Sequence, residues 1–93
     1  MSPSTLNSLT IAADFFKREM DRQHRDFRKE PNAHNWQVLT RSMLAYQQVK
    51  YAIRSSSVDR EALVAAIAAA PLGEWEDIVC RATLGMTAAA ALA

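Results

Sequence analysis

The fold is decided by residues 4–36, STLNSLTIAADFFKREMDRQHRDFRKEPNAHNW. From Leu6 onward, apolar positions recur every three or four residues, which is the repeat of an amphipathic helix. Ser4 or Thr5 can cap the start of this helix, and Pro31 ends it because proline disfavours helical geometry at the preceding residue. The side predicted to be buried consists of Leu6, Leu9, Ala13, Phe16, Met20, Gln23 and Phe27.

A second helix is predicted to run from Asn32 or Asn35, either of which can serve as its N-cap, to about Arg54. Because only a short segment around Pro31 separates the two helices, they are predicted to form an antiparallel hairpin over residues 4–54. The apolar side of the second helix is predicted to hold Val38, Leu39, Met43, Tyr46, Val49 and Ile53, with Trp36 at its edge.

Two shorter helices are predicted after the hairpin, over residues 57–70 and 73–90. Ser57 is a suitable N-cap for the first, and Pro71 with Gly73 separates it from the second. The sequence therefore predicts one all-α domain over residues 1–93, a small helical bundle in which the short helices pack on the hairpin. The apolar positions of the last helix are Trp75, Ile78, Val79, Ala82 and Met86.

The composition is that of a soluble globular domain, with 49% hydrophobic and 23% charged residues among 93. The longest apolar run, residues 62–72, is about half of the roughly 20 residues that a membrane span requires. The N-terminal residues lack the basic and apolar regions of a secretion signal. These features predict a cytoplasmic protein that does not enter a membrane.

The net charge of +1 conceals two oppositely charged halves. Residues 1–54 contain nine Lys and Arg and five Asp and Glu, which gives 9 − 5 = +4. Residues 55–93 contain two and five, which gives 2 − 5 = −3. Such halves can attract each other within one chain or between chains, and the sequence leaves both arrangements open.

The residues that usually carry catalysis do not form a recognisable pattern. Gly73 and Gly85 are the only glycines, so the common phosphate-binding loops are excluded. His24 and His34 are ten residues apart, and Cys80 is the only cysteine. Neither spacing matches a metal motif or a nucleophile with its base. We therefore expect a non-enzymatic protein without a metal or cofactor.

Three carboxylates precede or open the last predicted helix. They are expected to stabilise its N-terminus, where the helix dipole favours negative charge. The same charges argue against a helix-turn-helix reader, which presents its N-terminal turn to DNA. The three residues are Glu74, Glu76 and Asp77.

The outer side of the first helix carries a set of residues that we call the basic strip. Its members are spaced by three or four residues, and two interpretations are open. In one, pairs such as Asp14 with Arg18 and Asp21 with Arg25 make it an ordinary solvated helix side. In the other, it binds an acidic partner. The basic strip consists of Ile11, Phe15, Arg18, Arg22, Arg25 and Lys29.

A second set with the same spacing, which we call the α2 stripe, lies away from the main apolar side of the second helix. Either the two short helices cover it, or it is a surface for a partner or a second copy. Residues 31–58 contain no acidic residue, so cations such as Arg41 suit an acidic surface from the C-terminal half or from another molecule. The α2 stripe consists of Gln37, Arg41, Leu44, Gln48 and Tyr51.

The function expected from these features is that of a small protein-interaction module, such as an adaptor, a chaperone or an inhibitor. Its partner is expected to be a protein with an acidic surface, and the chain is expected to form a homodimer. Two alternatives stay open, a nucleic-acid-binding protein that uses the basic strip and a structural, self-assembling hairpin subunit. The Pro31 turn and its apolar repeat are common to helical hairpins, so the sequence assigns no family.

Overall fold

The structure is a computed structural model that describes residues 3–55 and 59–81. Helix α1 spans Pro3–Lys29, α2 spans Ala33–Arg54 and α3 spans Arg60–Ala68. A 3-10 turn, Leu72–Glu74, leads into a helical segment over residues 75–81. The predicted all-α bundle is confirmed, and no strand occurs in the described ranges.

The hairpin turn follows the chemistry of its proline and asparagines. Helix α1 ends at Lys29, two residues before Pro31, as predicted. Asn32 caps α2 by accepting a hydrogen bond from the backbone N–H of Asn35 at 2.8 Å. The Asn35 side chain in turn donates to the carbonyl of Glu30 at 2.9 Å. Both asparagines therefore hold the turn, although only Asn32 is the cap.

The core lies between α1 and α2 and extends to α3. Phe16 is the largest fully buried side chain. Leu63 and Ile67 of α3, together with Val79, complete the core. The predicted buried side of α1 is confirmed at Leu9, Ala13, Phe16 and Gln23, whereas Met20 and Phe27 are half-buried.

The first turn of α1 differs from the prediction. Leu6, expected in the core, is 41% exposed. Neither Ser4 nor Thr5 is a cap, because α1 already begins at Pro3, a residue well suited to a first helical turn. The Thr5 side chain is buried, and its hydroxyl donates to Oε1 of Glu61 at 2.7 Å. Packing of α3 beside this turn thus selects Thr5 over Leu6 for burial.

The prediction for α2 was wrong at Met43, which is 37% exposed, and Trp36 is also exposed. The prediction is confirmed at Leu39 and Val49, and Tyr46 and Ile53 are half-buried against the core. The buried side of the helix also includes three small residues. Small side chains allow two helix backbones to approach each other closely. The buried residues of α2 are Leu39, Ser42, Ala45, Val49 and Ala52.

Helix α3 begins later than predicted. Asp59 is its N-cap and accepts a hydrogen bond from the backbone N–H of Ala62 at 3.0 Å. The predicted cap, Ser57, lies outside the described residues. Arg60 joins α3 to the end of α2, since its Nε donates to the carbonyl of Ala52 at 2.8 Å. In the predicted helix 73–90, positions 82–90 lie outside the described residues, so Ala82 and Met86 are not placed.

The acidic residues near the last helical segment connect it to α2. Arg41 Nε lies 3.3 Å from Oε1 of Glu76, and its guanidinium also pairs with Asp77. The buried hydroxyl of Ser42 donates to Oε2 of Glu76 at 2.9 Å. These two carboxylates therefore have a tertiary role that the helix-dipole interpretation missed. The carboxylates that pair with Arg41 therefore come from the C-terminal half of the same chain, one of the two origins that the sequence left open.

No helix within residues 3–55 and 59–81 is long and apolar enough to cross a membrane.

Candidate protein-interaction surface

The cations of the basic strip lie on the outer side of α1. Arg18, Arg22, Arg25 and Lys29 are all exposed. The apolar residues predicted to be buried lie on the other side of the same helix, so the 3.6-residue repeat directs these cations into solvent. The strip therefore exists as a surface feature of the folded chain.

Among the described residues, one cation of the strip forms an ion pair. Arg22 pairs with Glu19, which raises the pKa of Arg22, first through a hydrogen bond and then through its charge. Within the described part of the chain, no ion pair forms between Asp14 and Arg18 or at Arg25. The two ion pairs four residues apart that the solvated-side interpretation invoked for Arg18 and Arg25 are therefore absent from the described residues. Arg18 and Arg25 keep their charge available for another molecule.

Phe15 has a role that its place in the strip did not suggest. It is half-buried, and its ring packs edge-on against Trp75, with the ring centroids 5.5 Å apart. It also contacts the ring of Phe16 at 5.4 Å. The indole Nε1 of Trp75 donates to the carbonyl of Ala70 at 3.3 Å, which fixes the ring orientation. Phe15 therefore packs against the Trp75 ring instead of extending into solvent.

An open apolar groove lies between α1 and α3, at the apolar end of the basic strip. Ile11, 52% exposed, belongs to both the groove wall and the strip. Trp75 and Val64 contribute to the opposite wall. We call this feature the α1–α3 groove, and its lining consists of Ser8, Ile11, Val64, Ile67, Ala68 and Trp75.

The size and lining of the α1–α3 groove decide what it can hold. Its volume is about 210 Å³. Sites for small organic ligands usually measure about 300–1,000 Å³ and contain several polar groups. Here Ser8 is the only polar side chain of the lining. The groove therefore suits one large apolar side chain of a protein better than a metabolite.

The members of the α2 stripe have different surroundings. Arg41 is held by Glu76 and Asp77, and Gln48 is half-buried. Leu44 and Tyr51 stay 38% and 40% exposed, so α3 and the segment 75–81 do not bury them. Gln37 is exposed at the start of the stripe. The stripe is thus a partly apolar surface with its one cation already paired.

His24, His34 and Cys80 lie on three different elements of the fold. Among the described residues, no three His, Cys, Asp or Glu side chains are placed to hold a metal ion. His24 and His34 are exposed on different helices. Burial raises the pKa of the Cys80 thiol, and the charge of Glu76 adds to this increase, while Arg41 opposes it. A raised pKa keeps Cys80 in its less nucleophilic thiol form.

Sequence reasoning found the basic strip but missed the groove beside it. Trp75, Val64 and Ile67 were each recognised at most as parts of helices. Their convergence with Ile11 depends on which side of the hairpin α3 packs against, which one sequence does not encode locally. The sequence signal for the groove was the position of Ile11, an apolar residue seven and fourteen residues before Arg18 and Arg25 on the same side of α1.

In comparisons with protein-family models, curated proteins and solved structures, the chain matches none.

Proposed function

We propose that this chain is a non-catalytic protein-interaction module that binds an acidic surface of another protein through the basic strip and the adjoining groove. The observation that carries the proposal is the continuity of an open apolar groove with exposed arginines that form no ion pair within residues 3–55 and 59–81. Ile11 lies in both features, and Arg18 and Arg25 follow it along the same side of α1. Apolar contact supplies affinity, while the arginines supply orientation and selectivity.

A protein partner is favoured over nucleic acid because the strip is narrow. Asp14 and Asp21 flank it on one side and Glu19 and Asp26 on the other, at the neighbouring positions of the helix. A duplex is a broad polyanion, so its phosphates would meet these carboxylates as well as the arginines. A protein can place single carboxylates against the arginines and leave the flanking acids in water.

The proposal predicts that Arg18→Glu with Arg25→Glu weakens partner binding by at least about a hundredfold, because like charges brought together cost several kcal/mol. Exposed charges contribute little to stability, so the fold should persist. The matched control is Lys17→Glu with Arg28→Glu, which changes the charge equally on the same helix. These two positions are exposed, and at 100° per residue Lys17 lies about 100° around the helix from Arg18 and Arg28 about 60° from Arg25.

The experiment uses the parent, the strip variant and the control variant as baits in a lysate of the source organism. Affinities for each captured protein are then measured by calorimetry. Proteins retained by the parent and the control but lost by the strip variant support the proposal. Equal retention by all three baits contradicts it. Micromolar binding of the parent to duplex DNA, with steep salt dependence, would establish the nucleic-acid alternative instead, since nonspecific affinity near 10⁻⁴ M is expected.

We also propose that the chain forms a homodimer through α2. The supporting observation is the exposed apolar surface of this helix, on which Leu44 and Tyr51 lie seven residues apart on one side. In an antiparallel α2–α2 contact with the two-fold axis near Gln47 and Gln48, each Leu44 meets Tyr51 of the second copy. Such self-complementarity is what a symmetric interface requires.

The dimer predicts that Leu44→Asp converts a parent dimer to monomer at tens of micromolar, because the new carboxylate would be desolvated against Tyr51 of the second copy. Leu72→Asp is the control, since Leu72 is an equally apolar residue, exposed at 52%, that belongs to the 3-10 turn and not to α2. Sedimentation equilibrium measures the mass of each. A monomeric parent at this concentration, or a Leu44→Asp variant that remains dimeric, rules out the proposed contact.

A further inference from the structure

We infer that the partner segment recognised by the basic strip is an amphipathic helix antiparallel to α1. It places one large apolar side chain in the α1–α3 groove and two carboxylates opposite Arg18 and Arg25. This inference rests on the proposed function and adds to it the secondary structure, residue spacing and direction of the partner. Its occupant is a segment of another protein with that pattern.

The spacing of the strip indicates a helical partner. Ile11, Arg18 and Arg25 are separated by intervals of seven residues, each about 10 Å along α1. A seven-residue interval is the one at which two helices packed side by side keep contact, as in coiled coils. A helix lying along α1 can therefore meet all three residues with side chains at the same interval.

The groove defines the apolar end of that helix. It is open to solvent between Ile11 of α1 and Trp75, and its volume of about 210 Å³ accommodates a leucine or phenylalanine side chain. Trp75 is held in place by Phe15 and by its hydrogen bond to Ala70, so the groove is formed before a partner binds. Prior formation lowers the entropic cost of binding.

The charged end of the partner follows from the cations that have no partner within the chain. Arg18 and Arg25 are exposed and make no ion pair within the described residues, whereas Glu19 engages Arg22. Carboxylates on the partner are therefore expected at the heights of Arg18 and Arg25, seven and fourteen residues from its apolar anchor. Carboxylates at other positions would approach the flanking Asp14 and Asp21.

The direction follows from the helix dipole. An antiparallel partner has its two carboxylates on the N-terminal side of its apolar anchor. The N-terminus of a helix carries partial positive charge, so the outer of the two carboxylates, placed in the first turn, stabilises the partner helix itself. A parallel partner would place the same carboxylates toward its negative C-terminal end. The antiparallel pattern, from N- to C-terminus, is acid, six residues, acid, six residues, large apolar residue.

The probe is a fluorescently labelled helical peptide of about 21 residues, built on alanine and glutamine with two glutamates and one leucine in this pattern. Fluorescence anisotropy should show saturable binding to the parent. Arg18→Glu with Arg25→Glu should weaken binding at least about tenfold, whereas Lys17→Glu with Arg28→Glu should change it less than about threefold. A peptide with alanine in place of leucine should also bind at least about tenfold more weakly.

A charge exchange makes the test specific to position. A second peptide, with lysine at the two glutamate positions, should bind the Arg18→Glu, Arg25→Glu variant more tightly than it binds the parent. The inference is overturned if the first peptide does not bind, if the alanine peptide binds as well as the leucine peptide, or if both double variants weaken binding equally. If lysate capture still depends on Arg18 and Arg25 in those cases, the proposed function stands and only the helical partner is excluded.

Discussion

Phe16→Ala is expected to lower the free energy of unfolding by about 3–5 kcal/mol, the range for deleting a buried aromatic ring. Phe16 is fully buried at the centre of the core, where its ring also contacts Phe15 at 5.4 Å. Because each kcal/mol changes the Tm of a domain of this size by about 4–8 °C, the Tm should fall by more than about 12 °C. Urea denaturation followed by circular dichroism measures the free energy.

The matched control is Met43→Ala, which removes a side chain of comparable length from α2. Met43 is 37% exposed, so its truncation should cost less than about 1.5 kcal/mol. From the sequence alone, the two substitutions would be expected to cost similar amounts. Equal losses of stability would contradict the packing described for α2, and a Phe16→Ala variant as stable as the parent would contradict the core itself.

The different fate of these two residues shows how far a periodic pattern predicts a core. In α1, most large apolar residues lie on one side, and the predicted burial of Leu9, Ala13, Phe16 and Gln23 is confirmed. In α2, apolar residues lie around most of the helix, so the pattern favoured its bulkiest side. The buried side keeps Leu39 and Val49 of that prediction and adds Ser42, Ala45 and Ala52, small residues that hydrophobic periodicity does not distinguish from solvated ones.

Three helix ends could be predicted from local chemistry, whereas the tertiary contacts could not. The end of α1 before Pro31, the Asn32 cap and the end of α2 at Arg54 each depend on residues within a few positions in the chain. The burial of Thr5 against Glu61 depends on a residue 56 positions away. No local rule reaches that distance, because the pairing arises only when α3 packs on α1.

The candidate surface also combines a feature that the local sequence predicts with features that depend on tertiary packing. The exposed cations of the basic strip were predictable, since the helical repeat alone places them opposite the buried side. Their ion pairing was not, because Glu19 at three residues and Asp26 at four compete for Arg22, and side-chain geometry decides between them. The α1–α3 groove was not predictable either, since it requires that Trp75 and Val64 meet Ile11 across three elements.

Enlarging the buried alanines of α2 distinguishes the effect of packing from that of hydrophobicity, because the two predict opposite changes in the free energy of unfolding. Ala45 and Ala52 are fully buried, and each lies in the core cluster with Phe16 and Leu9. Replacing both by leucine adds apolar surface and keeps a strong helix former, so a hydrophobicity argument alone expects greater stability. Close packing expects the opposite, because added methylene groups in a filled interior force neighbouring side chains or backbones to move.

We expect Ala45→Leu with Ala52→Leu to lower the free energy of unfolding by about 2–6 kcal/mol. Each overpacked site typically costs about 1–3 kcal/mol, and sites about 10 Å apart on one helix act nearly independently. Ala33→Leu with Ala65→Leu, at exposed positions of α2 and α3, adds the same atoms and should stay within about 0.5 kcal/mol per site. Urea denaturation compares the two pairs. A double variant at positions 45 and 52 that is as stable as the parent would mean that α1 and α2 are separated by more space than their buried alanines indicate.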